Sequence, residues 1–377
     1  MISSHRSSII KEIVQLSLAG LGQMYLPDHS AFCFRTKRTA GGLSRVGISR
    51  TNTLITSIGI RRAEIAGYQA PIEMQPVIRS LSESGWRFDK IGDIGLYLWL
   101  SSMFPVHENL LKWPDVLIES ALDNLKDARE RRTMELAWFL SGLAETADRR
   151  DLDASKKRTL LKLAMRTFTL LRANQESSGL FRHMSFRNSV AGLFRSHIAS
   201  FADQIYPIYA LSRFSEVFGI ETALDSALSC ANRICELQGP LGQWWWHYDA
   251  VGGRVVGPYP VYSVHQDAMA PMALFAINSA SGKDFNEPVF RGLNWITGQN
   301  ELSIDLRERG LNVIWRNIHQ STVERYFEES RMLIFPNRKT FSSQRLNVLF
   351  ECHPYHLGWI LFAFAGRTNT SCSFSGA

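Results

Sequence analysis

The chain has 377 residues, 45% of them hydrophobic and 20% charged, with a formal net charge of +7 from 42 Lys and Arg against 35 Asp and Glu. That balance is globular and supports a large buried core, in one large domain or two ordinary ones. Five scattered cysteines, Cys33, Cys230, Cys235, Cys352 and Cys372, are odd in number and form no paired C-x-x-C ladder, which argues against a disulfide framework or a structural zinc site and fits a reducing compartment.

At the N-terminus the apolar stretch of "MISSHRSSIIKEIVQLSLAGLGQMYLPD" is broken by Lys11, Glu12 and Gln15. It is a poor signal-peptide core and too short to span a bilayer, so a soluble, cytoplasmic protein without a transmembrane segment is expected. From there, helical periodicity gives alternating segments of two kinds. In chain order they run over 7–20, 52–66, 71–83, 92–103, 114–127, 133–146, 156–174, 203–218, 221–237, 266–280, 286–298 and 355–365. The first, third and every second segment after them carry charges on one face, as in "KKRTLLKLAMRTFTLLRA". The others, such as "DIGLYLWLSSM" and "YHLGWILFAFAG", are apolar nearly all round and read as helices buried on both sides.

A repeat runs through this alternation. "NQESSGLF" carries Gln175, Gly179 and Phe181, and "LQGPLGQW" repeats the spacing 63 residues later with Gln238, Gly242 and Trp244. Downstream, Asp203 and Asp267 each precede a proline by four residues, which makes them equivalent landmarks 64 apart. A weaker third copy ends in Gly67, with Thr51 in the aspartate's place. Six polar-faced helices alternating with six buried ones predict an all-α fold, an (α/α)6 toroid of six helical hairpins forming a single domain over 1–377. An open solenoid would solvate an inner face that is too apolar for it. Pro207 and Pro271 require the inner helices to start late or bend there. The stretch 299–353 breaks the period, is too long for a plain connection and is expected to cover one mouth of the ring.

The spacing Gln-x-x-x-Gly-x-Trp at 238–244, with its variant at 175–181, resembles the QW repeats of the terpenoid cyclase and protein prenyltransferase superfamily, whose members are α/α toroids. In that family the glutamine caps helix ends and the aromatic stacks in the turn. Its chemistry does not carry over: D-x-D-D and D-D-x-x-D are absent, and Ala268 and Met269 follow Asp267 where a prenyltransferase zinc site has Asp-x-Cys. No metal and no cofactor are therefore expected. "YPVYSVHQDAMAPMAL", with Tyr262, His265 and Asp267, is more similar to the six-hairpin toroids of carbohydrate metabolism, the glycosidases, polysaccharide lyases and sugar epimerases. The whole pattern is similar to toroid proteins associated with bacterial exopolysaccharide biosynthesis.

In a closed ring the N-terminal ends of the inner helices meet at one mouth, where residues distant in sequence converge. Imidazole, carboxylate and phenol groups there can be tuned by burial to move protons. The candidate catalytic residues are His265, Asp267, His356, Tyr355 and Asp249. The candidate substrate-binding residues are Trp245, Trp246, His247, Tyr262, His353, Asp203, Asp93 and Arg316. Asp203 and Asp267 also suit capping of helix starts. Trp244 is assigned to the fold as the stacked aromatic of the repeat, whereas Trp245 and Trp246 have no counterpart in "GLFRHM" and offer flat faces to a sugar ring or a carbocation. Arg316, Arg325, Arg331 and Arg338 could hold a carboxylate or phosphate. His183 and His319 read as ordinary surface or packing residues.

The expected function is thus that of a carbohydrate-active enzyme, a glycosidase, lyase or epimerase acting on an oligo- or polysaccharide that could carry uronates. A terpenoid or prenyl-binding enzyme and a non-catalytic glycan-binding scaffold are the alternatives. The arginines form no dense block, so no nucleic-acid partner is expected.

Overall fold

The computed structural model describes residues 4–83, 90–104, 132–184, 196–320 and 346–368. Eleven helices lie among them: α1 (Ser4–Met24), α2 (Arg50–Ile65), α3 (Met74–Glu83), α4 (Ile91–Ser102), α5 (Thr133–Ala147), α6 (Ala154–Arg172), α7 (Ala202–Phe218), α8 (Glu221–Glu236), α9 (Ala270–Ser281), α10 (Asn286–Ile296) and α11 (Pro354–Phe364). The segment expected at 114–127 falls outside the described residues. Helices α2, α4, α5, α7, α9 and α11 each pack on the next, and α11 returns to α2, closing an inner ring. From outside, α1 backs onto α11, α6 onto α5, and α8 onto α7. This is the (α/α)6 toroid.

Burial follows the pattern that separates the two sets. The outer helix α6 buries only Leu160, Leu163, Ala164, Thr167, Phe168 and Leu171, one stripe at three- and four-residue spacing, while every residue of the inner helix α4 from Ile94 to Leu100 is buried. Side-chain caps fix two of the starts: Ser49 accepts from the Asn52 N–H at α2 and Asp153 from the Lys156 N–H at α6.

Glycines set how closely the inner helices approach. A Cβ at Gly59 of α2 would stand 2.0 Å from the Gly358 carbonyl oxygen of α11, and one at Gly142 of α5 would stand 2.1 Å from the Gly95 carbonyl oxygen of α4. Alanine at an ordinary helical glycine gains up to about 1 kcal/mol through propensity. At Gly59 the collision is with backbone and cannot relax by rotation. Gly59→Ala is therefore expected to destabilise the protein, by about 3 kcal/mol, through separation of α2 from α11. Denaturant unfolding checks the sign, and a stabilised variant would contradict it.

The two glutamine segments make the same bonds. The Gln175 amide donates to Gly179 O and to Ser226 O in α8, both at 2.9 Å. The Gln238 amide donates to Gly242 O (3.0 Å) and to Pro288 O in α10 (2.9 Å). Each turn is thereby tied to the next outer helix. In both copies the aromatic's backbone is gripped by an inner-helix glutamine: Phe181 N–H donates to Gln204 and Trp244 N–H to Gln266, and each glutamine amide returns a bond to the same residue's carbonyl. This corrects one landmark. The equivalent residues are Gln204 and Gln266, 62 apart, so Asp203 corresponds to His265 and not to Asp267. The mismatch is absorbed by a π-helical turn, His265–Met269, immediately before α9. Pro207 lies inside α7, whereas Pro271 falls in the first turn of α9.

Short strands, unforeseen from the sequence, surround one mouth. β1 (Ala31–Thr39) and β2 (Gly42–Ile48) form an antiparallel hairpin that leads into α2, and β9 (Glu351–Cys352) pairs with β1 directly before α11. β3 (Ile198–Ser200) precedes α7 and joins β4 (His247–Asp249) and β5 (Arg254–Gly257). β6 (Val261–Tyr262) precedes the π turn and pairs with β7 (Asn317–Gln320), which pairs with β8 (Leu346–Leu349). Because these strands end where inner helices begin, they rim the N-terminal mouth. No described helix is long and apolar enough to cross a membrane.

Candidate active site

A cavity of about 210 Å³ opens at that mouth. Thr51, Asn52 and Ile55 of α2, Met134 and Trp138 of α5, and Ala202 and Tyr206 of α7 form one side. Trp246, Tyr262, Val264, His265, Met269, Arg316 and Tyr355 form the other. Of the sequence candidates, the structure therefore brings Trp246, Tyr262, His265, Arg316 and Tyr355 together on one surface.

His265 is held by rings. It lies parallel to Trp246 (centroids 5.9 Å apart, 10° between planes), with Phe201 at 4.6 Å and Tyr262 at 5.2 Å. Burial pushes its pKa down to about 3, so the imidazole is neutral at physiological pH, and its Nδ1 has no hydrogen-bond partner. The π turn that carries it widens the helix locally, a distortion frequent at functional sites.

Asp267, two residues further along the same turn, is fully buried and shares a hydrogen bond with His356 Nε2 at 2.6 Å, while its Oδ2 has no partner. Desolvation raises the carboxyl pKa and the imidazole of His356 pulls it back. The pair joins the π turn to α11 and lines no part of the cavity.

Arg316, just before β7, lies over the Tyr262 ring at 5.4 Å and contacts Glu351 (3.5 Å) and His353 Nε2. His353 is buried and packs edge-on against Phe34 and Tyr355. Burial first, and then the charge of Arg316, lowers its pKa to about 2. Tyr355 lines the cavity with a pKa raised by burial.

The remaining candidates lie elsewhere. Asp249 accepts from Gly252 N–H (2.9 Å) and Arg254 (3.2 Å) and fixes the β4–β5 turn. Trp245 donates to Leu237 O (3.0 Å) and is packed beside Tyr259. His247 touches Trp246 from β4 but does not reach the cavity. Asp203, in the first turn of α7, is no cap: it accepts from Ser200 N–H and Oγ–H ahead of the helix, and it also bonds His183 Nδ1 at 2.9 Å, which raises the His183 pKa. Asp93, in the first turn of α4, accepts from the cavity-lining Thr51 at 2.8 Å. Arg325, Arg331 and Arg338 fall outside the described residues.

Several lining residues were not singled out from the sequence. Trp138 and Tyr206, edge-on to each other at 5.2 Å, sit about a turn inside apolar helices, where nothing distinguishes them from core. A larger cavity of about 610 Å³ opens at the opposite mouth. Part of its charge is paired internally: Glu145 accepts from Tyr209 (2.7 Å) and Arg213 (2.8 Å), and Arg213 also bonds Asp148 and Glu216, while Arg62, Arg149 and Arg367 line it too. Among the described residues no group of three or more His, Cys, Asp or Glu side chains is placed to hold a metal ion.

No family model matches the chain, and no curated protein does. Solved structures share its fold at low identity. A crystal structure of an unsaturated glucuronyl hydrolase specific for heparin is 14% identical with a TM-score of 0.61, covering 95% of this chain and 96% of its own. The unsaturated glucuronyl hydrolase from Bacillus sp. GL1, described as responsible for glycosaminoglycan degradation, is 15% identical with a TM-score of 0.61, covering 96% of each chain. A possible GH105 family member from Klebsiella pneumoniae is 10% identical with a TM-score of 0.60, covering 99% of this chain and 95% of its own. The chain is thus an α/α toroid of the architecture these hydrolases use.

Proposed function

We propose that the protein is a glycan-processing enzyme that seats one acidic sugar residue in the cavity at the N-terminal mouth. The observation that supports this most is the placement of a guanidinium, Arg316, and a neutral imidazole, His265, among the aromatic faces of Trp246, Trp138, Tyr206 and Tyr262. Aromatic faces suit the apolar face of a pyranose, and a guanidinium suits a uronate carboxylate. In this reading Tyr355 and His265 exchange protons with the sugar, Arg316 neutralises the carboxylate, and the Asp267–His356 pair is a positioning device for the π turn. No carboxylate lines the described cavity, so proton transfer beside the uronate, in elimination or epimerisation, suits these residues better than a hydrolytic pair of acids. The names of the structural neighbours support a glycan substrate. A cytoplasmic role in exopolysaccharide assembly is the finer form of the reading and is supported by the sequence pattern alone. A charged cavity of this kind does not suit an isoprenoid, which calls for walls almost free of charge.

The test is to incubate the purified protein with uronate-bearing oligosaccharides, neutral oligosaccharides and prenyl diphosphates, and to follow unsaturated products, new reducing ends and deuterium exchange at the sugar carbons. Turnover of uronate-bearing glycans with unsaturation or exchange is expected. New reducing ends without unsaturation would replace the chemistry with hydrolysis. Glycan binding without turnover would leave a scaffold, and saturable binding of prenyl diphosphates alone would end the glycan reading.

A further inference from the structure

Beside the cavity, the face formed by β1 and β9 carries more positive charge than the described residues neutralise. Lys37 and Glu351 are directly paired across the two strands, and Arg35, two residues along β1, shares their face. Glu351 lies 3.3 Å from Lys37, 3.5 Å from Arg35 and 3.5 Å from Arg316. Among the described residues it is the one carboxylate within ion-pair distance of these three cations. Across β1, the β2 residues opposite Arg35 and Lys37 are Val46 and Ser44, which add no charge.

The hydrogen bonds point the same way. Arg35 Nε and Arg316 Nε are buried without a partner, and so is Nδ1 of His353, whose side chain is 3% exposed. An unpaired buried donor leaves the positive charge of its guanidinium less neutralised, and a face with three cations and one anion attracts an added anion to its exposed cationic ends. The guanidinium of Arg316 also lines the cavity, so this face continues from it. Lys37 and Arg35 remain 42% and 27% exposed, open to a ligand from solvent.

We infer that Arg35 and Lys37, on the Glu351 platform beside Arg316, form a second anion subsite that holds the carboxylate or sulfate of the sugar residue lying just outside the cavity. The inference rests on the proposed function for the word sugar, but the anion site itself does not. It makes the preferred substrate an oligosaccharide with an anionic group on two consecutive residues, the inner one on Arg316 and the outer one on the hairpin.

Three probes separate the possibilities in wild type and in the Arg35→Ala/Lys37→Ala double variant, whose replaced side chains lie at the surface of the hairpin. Inorganic sulfate tests the site alone: saturable thermal stabilisation of the wild type, reduced about tenfold in affinity in the variant, is expected. Calorimetric titration then compares a galacturonate tetrasaccharide, which carries a carboxylate on every residue, a heparin tetrasaccharide and a disaccharide with a single carboxylate. Both tetrasaccharides should bind the wild type about tenfold more tightly than the disaccharide, with a preference that weakens in salt and disappears in the variant, while disaccharide binding is unchanged. A preference for the heparin ligand over the galacturonate would assign the outer group to sulfate, and equal affinity to either anion. Tetrasaccharide preference that survives in the variant overturns the subsite and leaves the glycan reading standing. Sulfate binding lost in the variant, with no oligosaccharide bound by either protein, keeps the anion site and overturns the glycan reading. Absence of any sulfate effect on the wild type counts against the subsite directly.

Discussion

His265→Phe and His353→Phe are each expected to remove about one proton from the uptake that accompanies acid unfolding. Burial holds the two folded-state pKa values at about 3 and about 2, against an ordinary 6.5. A histidine depressed in this way stays neutral in the folded protein while its unfolded counterpart takes up a proton. Below pH 6.5 the unfolded chain therefore binds more protons, and stability falls as pH drops, by roughly 1.4 kcal/mol per pH unit for each group. His183 and Asp267 work in the opposite sense. The raised pKa of His183 gives a contribution that is complete below the unfolded value and is lost as pH rises through the folded one, and a raised carboxyl likewise favours the folded state at low pH. The net slope of the wild type mixes all four, but the difference between wild type and variant isolates each histidine. Between pH 7 and pH 5 each phenylalanine variant should gain about 2 kcal/mol on the wild type. Denaturant midpoints measured across that range check it. Parallel curves would mean that both rings are already solvated in the native protein.

The toroid was legible in the sequence because it is a consequence of patterning. A helix that must bury both sides, such as α4, has no polar face to hide, and one that backs onto the ring needs only a stripe, as α6 shows. The site was legible only in part. Tyr262, His265 and Tyr355 stand out as candidates because they lie at or just before inner-helix starts, a geometry that follows from the ring, whereas Trp246 stands out for having no counterpart in the repeat and Arg316 for its place in the stretch that breaks the period. Asp249 and Trp245 were misplaced because adjacency in "WWWHYD" says nothing about which face of a short strand each side chain takes. The equivalence of Asp203 with Asp267 failed for a different reason: their common distance from a proline was produced by an extra stretch of π turn, not by shared position. The β1–β2 hairpin was overlooked because "AFCFRTKRT" carries little apolar alternation. Its partner β9 lies at the other end of the chain, and no local pattern announces that pairing.

Arg316→Ala is expected to lower kcat/KM on uronate-bearing substrates by about a hundredfold, roughly the value of one charge-assisted hydrogen bond removed beside a buried aromatic wall. The guanidinium reaches the cavity over Tyr262 and is steadied from behind by Glu351 and His353. Its direction is therefore set before any ligand arrives. Lysine at 316 would restore the charge but not the planar fork or the stacking on Tyr262, so Arg316→Lys should recover less than half of the lost free energy. If the arginine only binds the carboxylate, KM rises and kcat stays. If it also stabilises charge that develops as the neighbouring proton leaves, kcat falls with it, and the proton-transfer reading predicts this second pattern. The variant also removes a cation from the face shared with Arg35, which relieves the repulsion there and should leave stability nearly unchanged at neutral pH. A variant with full activity toward uronates, or one whose loss extends equally to neutral glycans, would remove Arg316 from substrate recognition and with it the main support for an acidic sugar in this cavity.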